Sequence, residues 1–342
     1  MKIKQILFTK PYFAEYVEKH EINVKDLNEN SIVVKTAVST ISCGTERANY
    51  IGEKRVTANI DRIAPFPRVP GYSSAGEVVF VGNAVKKVQV GDKVVVSNFL
   101  GNHVNYCVVK ENDLVKIPNG VSFEEASISF IATFPLAGLR KVKLEIGESC
   151  LIMGLGILGQ FAVKFARIMG AYPIIAVDPV EERRQSALDN GADFAFDPFD
   201  KETISKIKEI TNGGVNTAIE VTGVGAGLDQ TLDCMKKLGR IALLGCTRNS
   251  DFTIDYYKKV HAPGITLVGA HTNARPDYES YPHYLTQNDE VKAILDLIKG
   301  GRVSLKTIIK ETHDPNECNK VYERLASDKN FPIGVQFDWR KQ

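Results

Sequence analysis

At 342 residues the chain exceeds one core of ordinary size, so two domains are expected. Its composition, 44% hydrophobic and 25% charged, excludes long disordered tracts, and 43 Lys and Arg against 41 Asp and Glu leave a net charge of +2, too little to attract nucleic acid. Six cysteines (Cys43, Cys107, Cys150, Cys234, Cys246, Cys318) are scattered without a C-x-x-C pair, which argues against a disulfide framework and a cysteine-rich zinc knuckle.

Residues 1–10 carry charges but no apolar signal region and read as a first strand. The longest apolar stretch, 126–139, is too short and too broken by Ser, Thr and Pro to span a bilayer, so the expected location is the cytoplasm, with no membrane partner. Short β runs follow at 31–38, 74–81, 92–97 and 105–109, separated by Gly, Pro and Asn, and make residues 1–120 a β-rich, barrel-like domain. From 121 to 304 apolar strands alternate with helix-period segments, the pattern of parallel βαβ units. Strands are expected at 149–153, 174–177, 194–196, 217–221, 240–244 and 265–268, the six that a doubly wound α/β sheet needs. A helix at 290–299 precedes 305–311, a helical 315–326 and 332–339. This tail, 305–342, is expected to return to the first domain.

The strongest motif is Gly154-Leu155-Gly156-Ile157-Leu158-Gly159, placed between the strand ending at Met153 and a helix with apolar spacing through Phe161, Val163, Phe165 and Ile168. Gly154 permits the tight turn, Gly156 lets backbone amides approach a pyrophosphate, and Gly159 lets the helix pack closely: a Rossmann dinucleotide turn. Asp178 ends the next strand, 19 residues after Gly159, where a carboxylate accepts bonds from ribose hydroxyls and repels a 2′-phosphate. NAD is therefore expected ahead of NADP. Arg183 either lies over the adenosine or is a surface arginine. Thr222 and Gly245 close the fourth and fifth strands, where the cofactor cleft of such folds lies.

The chain resembles the medium-chain dehydrogenase/reductase family, whose members join a GroES-like β domain to a Rossmann domain. The resemblance rests on Cys43-Gly44-Thr45-Glu46, on 70–78 (Pro-Gly-Tyr-Ser-Ser-Ala-Gly-Glu-Val) followed by Val81-Gly82, on Gly91-Asp92-Lys93-Val94, and on the Gly-rich turn. It implies an α/β protein, a GroES-like β-rich domain plus a Rossmann doubly wound parallel sheet, and a homodimer formed through the Rossmann domains. Zinc-dependent members supply a Cys, a His-Glu pair and a third ligand. Here Cys43 remains, Tyr72 and Ser73 stand at the His-Glu positions, and the third position falls near Phe130. One thiolate cannot hold a catalytic Zn²⁺, so none is expected.

Without a metal, another group must handle the substrate proton. Tyr72, which takes a former ligand position and by the resemblance faces the nicotinamide end of the cleft, either serves as general acid and base or fills vacated volume. Thr45 corresponds to the family's proton-relaying hydroxyl or caps a turn; Cys43 either lines the pocket or acts as a nucleophile; Glu46 either orients substrate or, the favoured reading, pairs with Arg47. His271, just past the sixth strand, is either catalytic or satisfied by backbone groups. The aromatic and polar run 275–284 shapes a substrate pocket or a dimer surface. The preferred function is an NAD-dependent dehydrogenase interconverting a secondary alcohol, sugar or polyol-like, and its ketone. The alternatives are a zinc-independent quinone or enone reductase and a non-catalytic NAD-binding protein.

Overall fold

The structure, a computed structural model, describes residues 1–54, 65–97, 101–248, 250 and 252–342, with the side chain of His20 left out. Strands β1 (Lys2–Lys10) and β2 (Phe13–Glu21) form an antiparallel pair that turns at Pro11 and Tyr12. The sequence reading lacks β2, because its Glu, Lys and His residues hide the strand in a polar composition. β3 (Ile32–Thr40) is β-branched at most positions and buried at all but Lys35, which suits a central strand. Helix α1 (Cys43–Tyr50) follows, then β4 (Ser74–Val81), β5 (Lys93–Val96), β6 (Tyr106–Val109) and β7 (Leu114–Lys116). The four β runs expected here are thus β3, β4, β5 and β6, with ends shifted by a residue or two.

After α2 (Phe123–Lys141) the βα alternation runs β8 (Cys150–Met153), α3 (Ile157–Ile168), β9 (Ile174–Val177), α4 (Glu181–Asp189), β10 (Phe194–Phe196), α5 (Thr203–Ile210), β11 (Val215–Glu220), α6 (Gly225–Asp233), β12 (Met235–Leu243) and β13 (Thr266–Gly269). All six strands are parallel, in the order β10-β9-β8-β11-β12-β13. Renumbered from β8 this is 3-2-1-4-5-6, the doubly wound order of a Rossmann sheet, with its reversal point between β8 and β11. β12 starts five residues before the expected 240, and the β11–β12 register slips between Val215 and Thr217.

The tail comprises α7 (Gln287–Lys299), β14 (Ile309–His313), α8 (Cys318–Ser327) and β15 (Gly334–Asp338). β15 lies antiparallel to β3, pairing Gln336 with Thr40, and gives the sheet order β14-β15-β3-β4-β5-β7 with β6 also on β3. One compact unit therefore comprises Met1–Ile131 and Val291–Gln342, and the other Ala132–Glu290. These divisions fall inside α2 and α7, whereas the sequence reading put them at the turn signals near 120 and 305. In the first unit Tyr50 stacks on Tyr322 at 5.7 Å, Phe8 meets Tyr322 edge-on at 4.7 Å, and Phe337 and Trp339 complete the cluster. In the second, Leu151, Ile175, Ala218 and Ile241 form the buried layer of the parallel sheet. No helix among the described residues is long and apolar enough to cross a membrane.

Candidate functional site

In the second unit the Gly-rich turn runs from β8 into α3. Gly154 has φ +97, and Gly156 is the N-cap of α3, whose first amides receive no side-chain cap. A Cβ built on Gly156 meets no atom of the described residues within 4 Å, so the space beside this N-cap residue is open. On Gly159 it would lie 1.9 Å from Gly154 O and 3.6 Å from Ile152 Cγ2, so this position requires glycine for close packing of helix against turn and strand. Amides without a side-chain cap at the start of a 12-residue helix fit a pyrophosphate.

Asp178 follows β9 and is buried. Its Oδ2 accepts the Leu155 N–H at 2.7 Å and its Oδ1 the Val180 N–H at 2.9 Å. A carboxylate offers about four lone-pair sites, and these two amides take two of them. Arg183 Nη1 stands 4.0 Å from Asp178 Oδ2, and its carbonyl accepts from Gln160 Nε2 at 2.9 Å. The structure thus pairs Arg183 with Asp178. Beyond β11, the Thr222 N–H donates to Glu220 Oε1 at 2.8 Å, and the Thr222 hydroxyl donates to the same atom. Burial pushes the Glu220 carboxyl up. A Cβ on Gly245 would come within 2.4 Å of Gly223 N, so the turns after β11 and β12 are packed backbone to backbone.

His271 is exposed, and its Nδ1 accepts the Asn273 N–H at 3.2 Å. Desolvation, then the Lys141 and Arg275 charges, hold its pKa below the ordinary imidazole value. Lys141 Nζ donates to Gly269 O at 3.2 Å and to Ala274 O, tying the segment after β13 to α2.

In the first unit, the loop from β3 into α1 meets the segment before β4. Tyr72 is 8% exposed, packs edge-on against Phe130 at 5.6 Å and donates its O–H to Ser42 Oγ. Cys43 is half-buried, with Sγ 3.8 Å from Ile333 O and 4.0 Å from Pro332 O. Thr45 is half-buried, and its carbonyl accepts Asn49 Nδ2 at 3.0 Å. The expected Glu46–Arg47 pair is not formed. Glu46 turns inward to His103 Nε2 at 2.9 Å, the Tyr322 O–H at 2.6 Å and the Ser42 N–H at 2.8 Å, while Arg47 reaches Ala326 O at 3.2 Å. Neighbouring helix residues project in directions about 100° apart, so a side chain at one position cannot meet that at the next. The sequence reading passed over His103 and Ser42. Neither carries a local signal: Glu46 stands four residues after Ser42, one too many for a capping box, and His103 is distant in sequence.

The donors at the family's zinc-ligand positions do not fit a catalytic zinc: a thiol directed at carbonyls, a phenol bonded to a serine, and a phenylalanine ring. Among the described residues, no three His, Cys, Asp or Glu side chains come together as a possible metal site.

A Rossmann sheet with an open helix N-terminus defines a dinucleotide-binding protein. Residues 28–128 match the model of the alcohol dehydrogenase GroES-like domain, and residues 158–303 that of zinc-binding dehydrogenases. The L-threonine 3-dehydrogenase of Pyrococcus furiosus is 30% identical over 300 residues, covering 78% of this chain and 82% of the relative. The sorbitol dehydrogenase of Bacillus subtilis is 24% identical over 341 residues, covering 91% of each. The crystal structure of 2R,3R-butanediol dehydrogenase from Bacillus subtilis superposes with a TM-score of 0.80 at 21% identity, over 98% of this chain and 99% of that one. The chain belongs to the zinc-type alcohol dehydrogenase branch of the medium-chain dehydrogenase/reductase family, a family of NAD(P)-dependent dehydrogenases.

Proposed function

We propose that this chain is an NAD-dependent dehydrogenase that interconverts a secondary alcohol, sugar or polyol-like, and its ketone, with a tyrosine in place of zinc as the proton-handling group. The observation that carries the reading is the Tyr72 phenol, held at a former ligand position by Ser42 and Phe130. Bound NAD⁺ supplies the hydride acceptor. The substrate loses a hydride from its carbinol carbon and a proton from its hydroxyl, leaving ketone, NADH and one proton. In reduction, Tyr72 gives its phenolic proton to the carbonyl oxygen as the hydride arrives at carbon. In oxidation it takes the hydroxyl proton as phenolate. Thr45, half-buried on α1, donates to or accepts from the substrate oxygen in this reading, and Cys43 lines the pocket.

The amides of Ile157 and Leu158 at the start of α3 hold the pyrophosphate, and the two remaining lone-pair sites of Asp178 hold the ribose. A 2′-phosphate would meet the Asp178 carboxylate, which supports NAD over NADP. Asp178→Ala removes that carboxylate and its ion pair with Arg183. A hydrogen bond to a charged group contributes roughly 1.5–3 kcal/mol, so NADH affinity falls about 10- to 100-fold while NADPH affinity holds or rises. Fluorescence titrations with both nucleotides measure this, and an unchanged preference would remove Asp178 from the ribose site.

Three further parts of the proposal are a cytoplasmic location, a small-molecule substrate and a homodimer through the Rossmann units. β13 supports the dimer, being an edge strand with Leu267 exposed. The test of function is nicotinamide absorbance with sorbitol, L-threonine and 2,3-butanediol plus NAD⁺, run beside quinones and enones plus NADH or NADPH. Turnover of the hydroxylated compounds is expected. Turnover of quinones or enones alone moves the chain to the zinc-independent reductases, and NADH binding with no turnover marks it as non-catalytic.

A further inference from the structure

We propose that Ser42, Glu46 and His103 are positioning residues for Tyr72, fixing its phenol for proton exchange with the substrate oxygen; this rests on the dehydrogenase reading above. Ser42 is the N-cap of α1, where a serine hydroxyl ordinarily accepts an amide of the first turn. Here it makes no such bond. The hydroxyl accepts from Tyr72, and the Ser42 N–H is held by Glu46 Oε1 at 2.8 Å. The cap is diverted from the helix to the phenol.

Glu46 is itself clamped. It is 1% exposed, and its Oε2 takes both His103 Nε2 at 2.9 Å and the Tyr322 O–H at 2.6 Å. Burial and the Glu46 carboxylate push the Tyr322 phenol well above its ordinary value, so it remains a donor. His103, fully buried, is fixed on its other side: Nδ1 lies 2.7 Å from Ser39 Oγ, which accepts Trp339 Nε1 at 2.8 Å. Both ring nitrogens of His103 are thus engaged, Nε2 with the Glu46 carboxyl and Nδ1 with the Ser39 hydroxyl. Backbone packing provides a second route to Tyr72. A Cβ on Gly71, at φ +85, would lie 2.7 Å from His103 Cδ2, and the Asn102 N–H donates to Gly71 O at 3.0 Å. The residue before Tyr72 is therefore seated on His103.

A buried carboxylate is a costly way to hold a core together, and apolar side chains of similar volume would do it better. A hydroxyl held beside Tyr72 has a chemical use. When the phenol passes its proton to the substrate oxygen, Ser42 rotates its own proton toward the phenolate. One O–H bond breaks at Tyr72, one forms at the substrate, and Ser42 keeps its proton throughout. A loss of alignment of about 1 Å costs on the order of 10²-fold in rate.

The experiment is a double-mutant cycle in the full chain, reading kcat with NAD⁺ and whichever of sorbitol, L-threonine or 2,3-butanediol is turned over, together with NADH affinity by fluorescence. Ser42→Ala and Glu46→Gln are expected to lower kcat 10- to 100-fold at unchanged NADH affinity, and to add less than threefold in the Tyr72→Phe background. Ser42→Thr, which restores the hydroxyl, recovers most of the loss. Equal losses in both backgrounds overturn the positioning role while leaving Tyr72 in place. If Tyr72→Phe alone leaves kcat unchanged, the proton role of Tyr72 falls and the positioning role falls with it. Should Glu46→Gln fail to fold, Tyr322→Phe, which keeps the buried ring and removes one donor to Glu46, is read in its place.

Discussion

Tyr72→Phe is expected to lower kcat by about 10²- to 10⁴-fold and to leave NADH affinity unchanged. The substitution keeps the ring, and with it the 5.6 Å edge contact to Phe130, so the volume at this buried position is preserved. What it removes is one O–H and the bond to Ser42 Oγ, a loss of roughly 1 kcal/mol in stability. Steady-state kinetics with the accepted alcohol, beside a fluorescence titration of NADH, separates the two functions of the chain. Near-normal turnover with the variant would mean that the proton travels by another group, with Thr45 on α1 the next candidate.

Gly159→Ala is expected to reduce NADH affinity more than 100-fold and to destabilise the Rossmann unit by about 3 kcal/mol. The added methyl would lie 1.9 Å from Gly154 O, a backbone atom at the start of the same turn, so either the turn opens or α3 shifts along the sheet. Both movements displace the amides proposed to hold the pyrophosphate. Gly156→Ala is the matching control, since its Cβ meets no atom within 4 Å and its φ of −66 suits any residue. That variant should unfold at the wild-type temperature and yet bind NADH at least tenfold more weakly, because the methyl occupies ligand space. Thermal unfolding and NADH titration of the pair distinguish packing from binding. Wild-type affinity in Gly156→Ala would place the nucleotide elsewhere.

How far the sequence could be read follows from the range of each interaction. Residues 174–177 and 194–196 form strands over the expected spans: β9 is a fully buried parallel strand and β10 an edge strand, and both are continuous apolar runs that need no distant information. The Gly-rich turn and Asp178 were legible for the same reason, since their spacing is set by one strand-turn-helix-strand unit. β2 was not legible, because its charged residues become a strand through pairing with β1. Glu46 shows the limit most clearly. Its neighbour Arg47 is adjacent in sequence and out of reach on the helix, whereas its partners His103 and Tyr322 are 57 and 276 residues away. Local patterning of apolar residues and glycines determined the fold class and the Gly-rich turn between β8 and α3. The tertiary structure decided which buried polar groups meet around Tyr72, because a desolvated carboxylate takes whatever donors packing brings to it, and packing joins segments that the sequence keeps far apart.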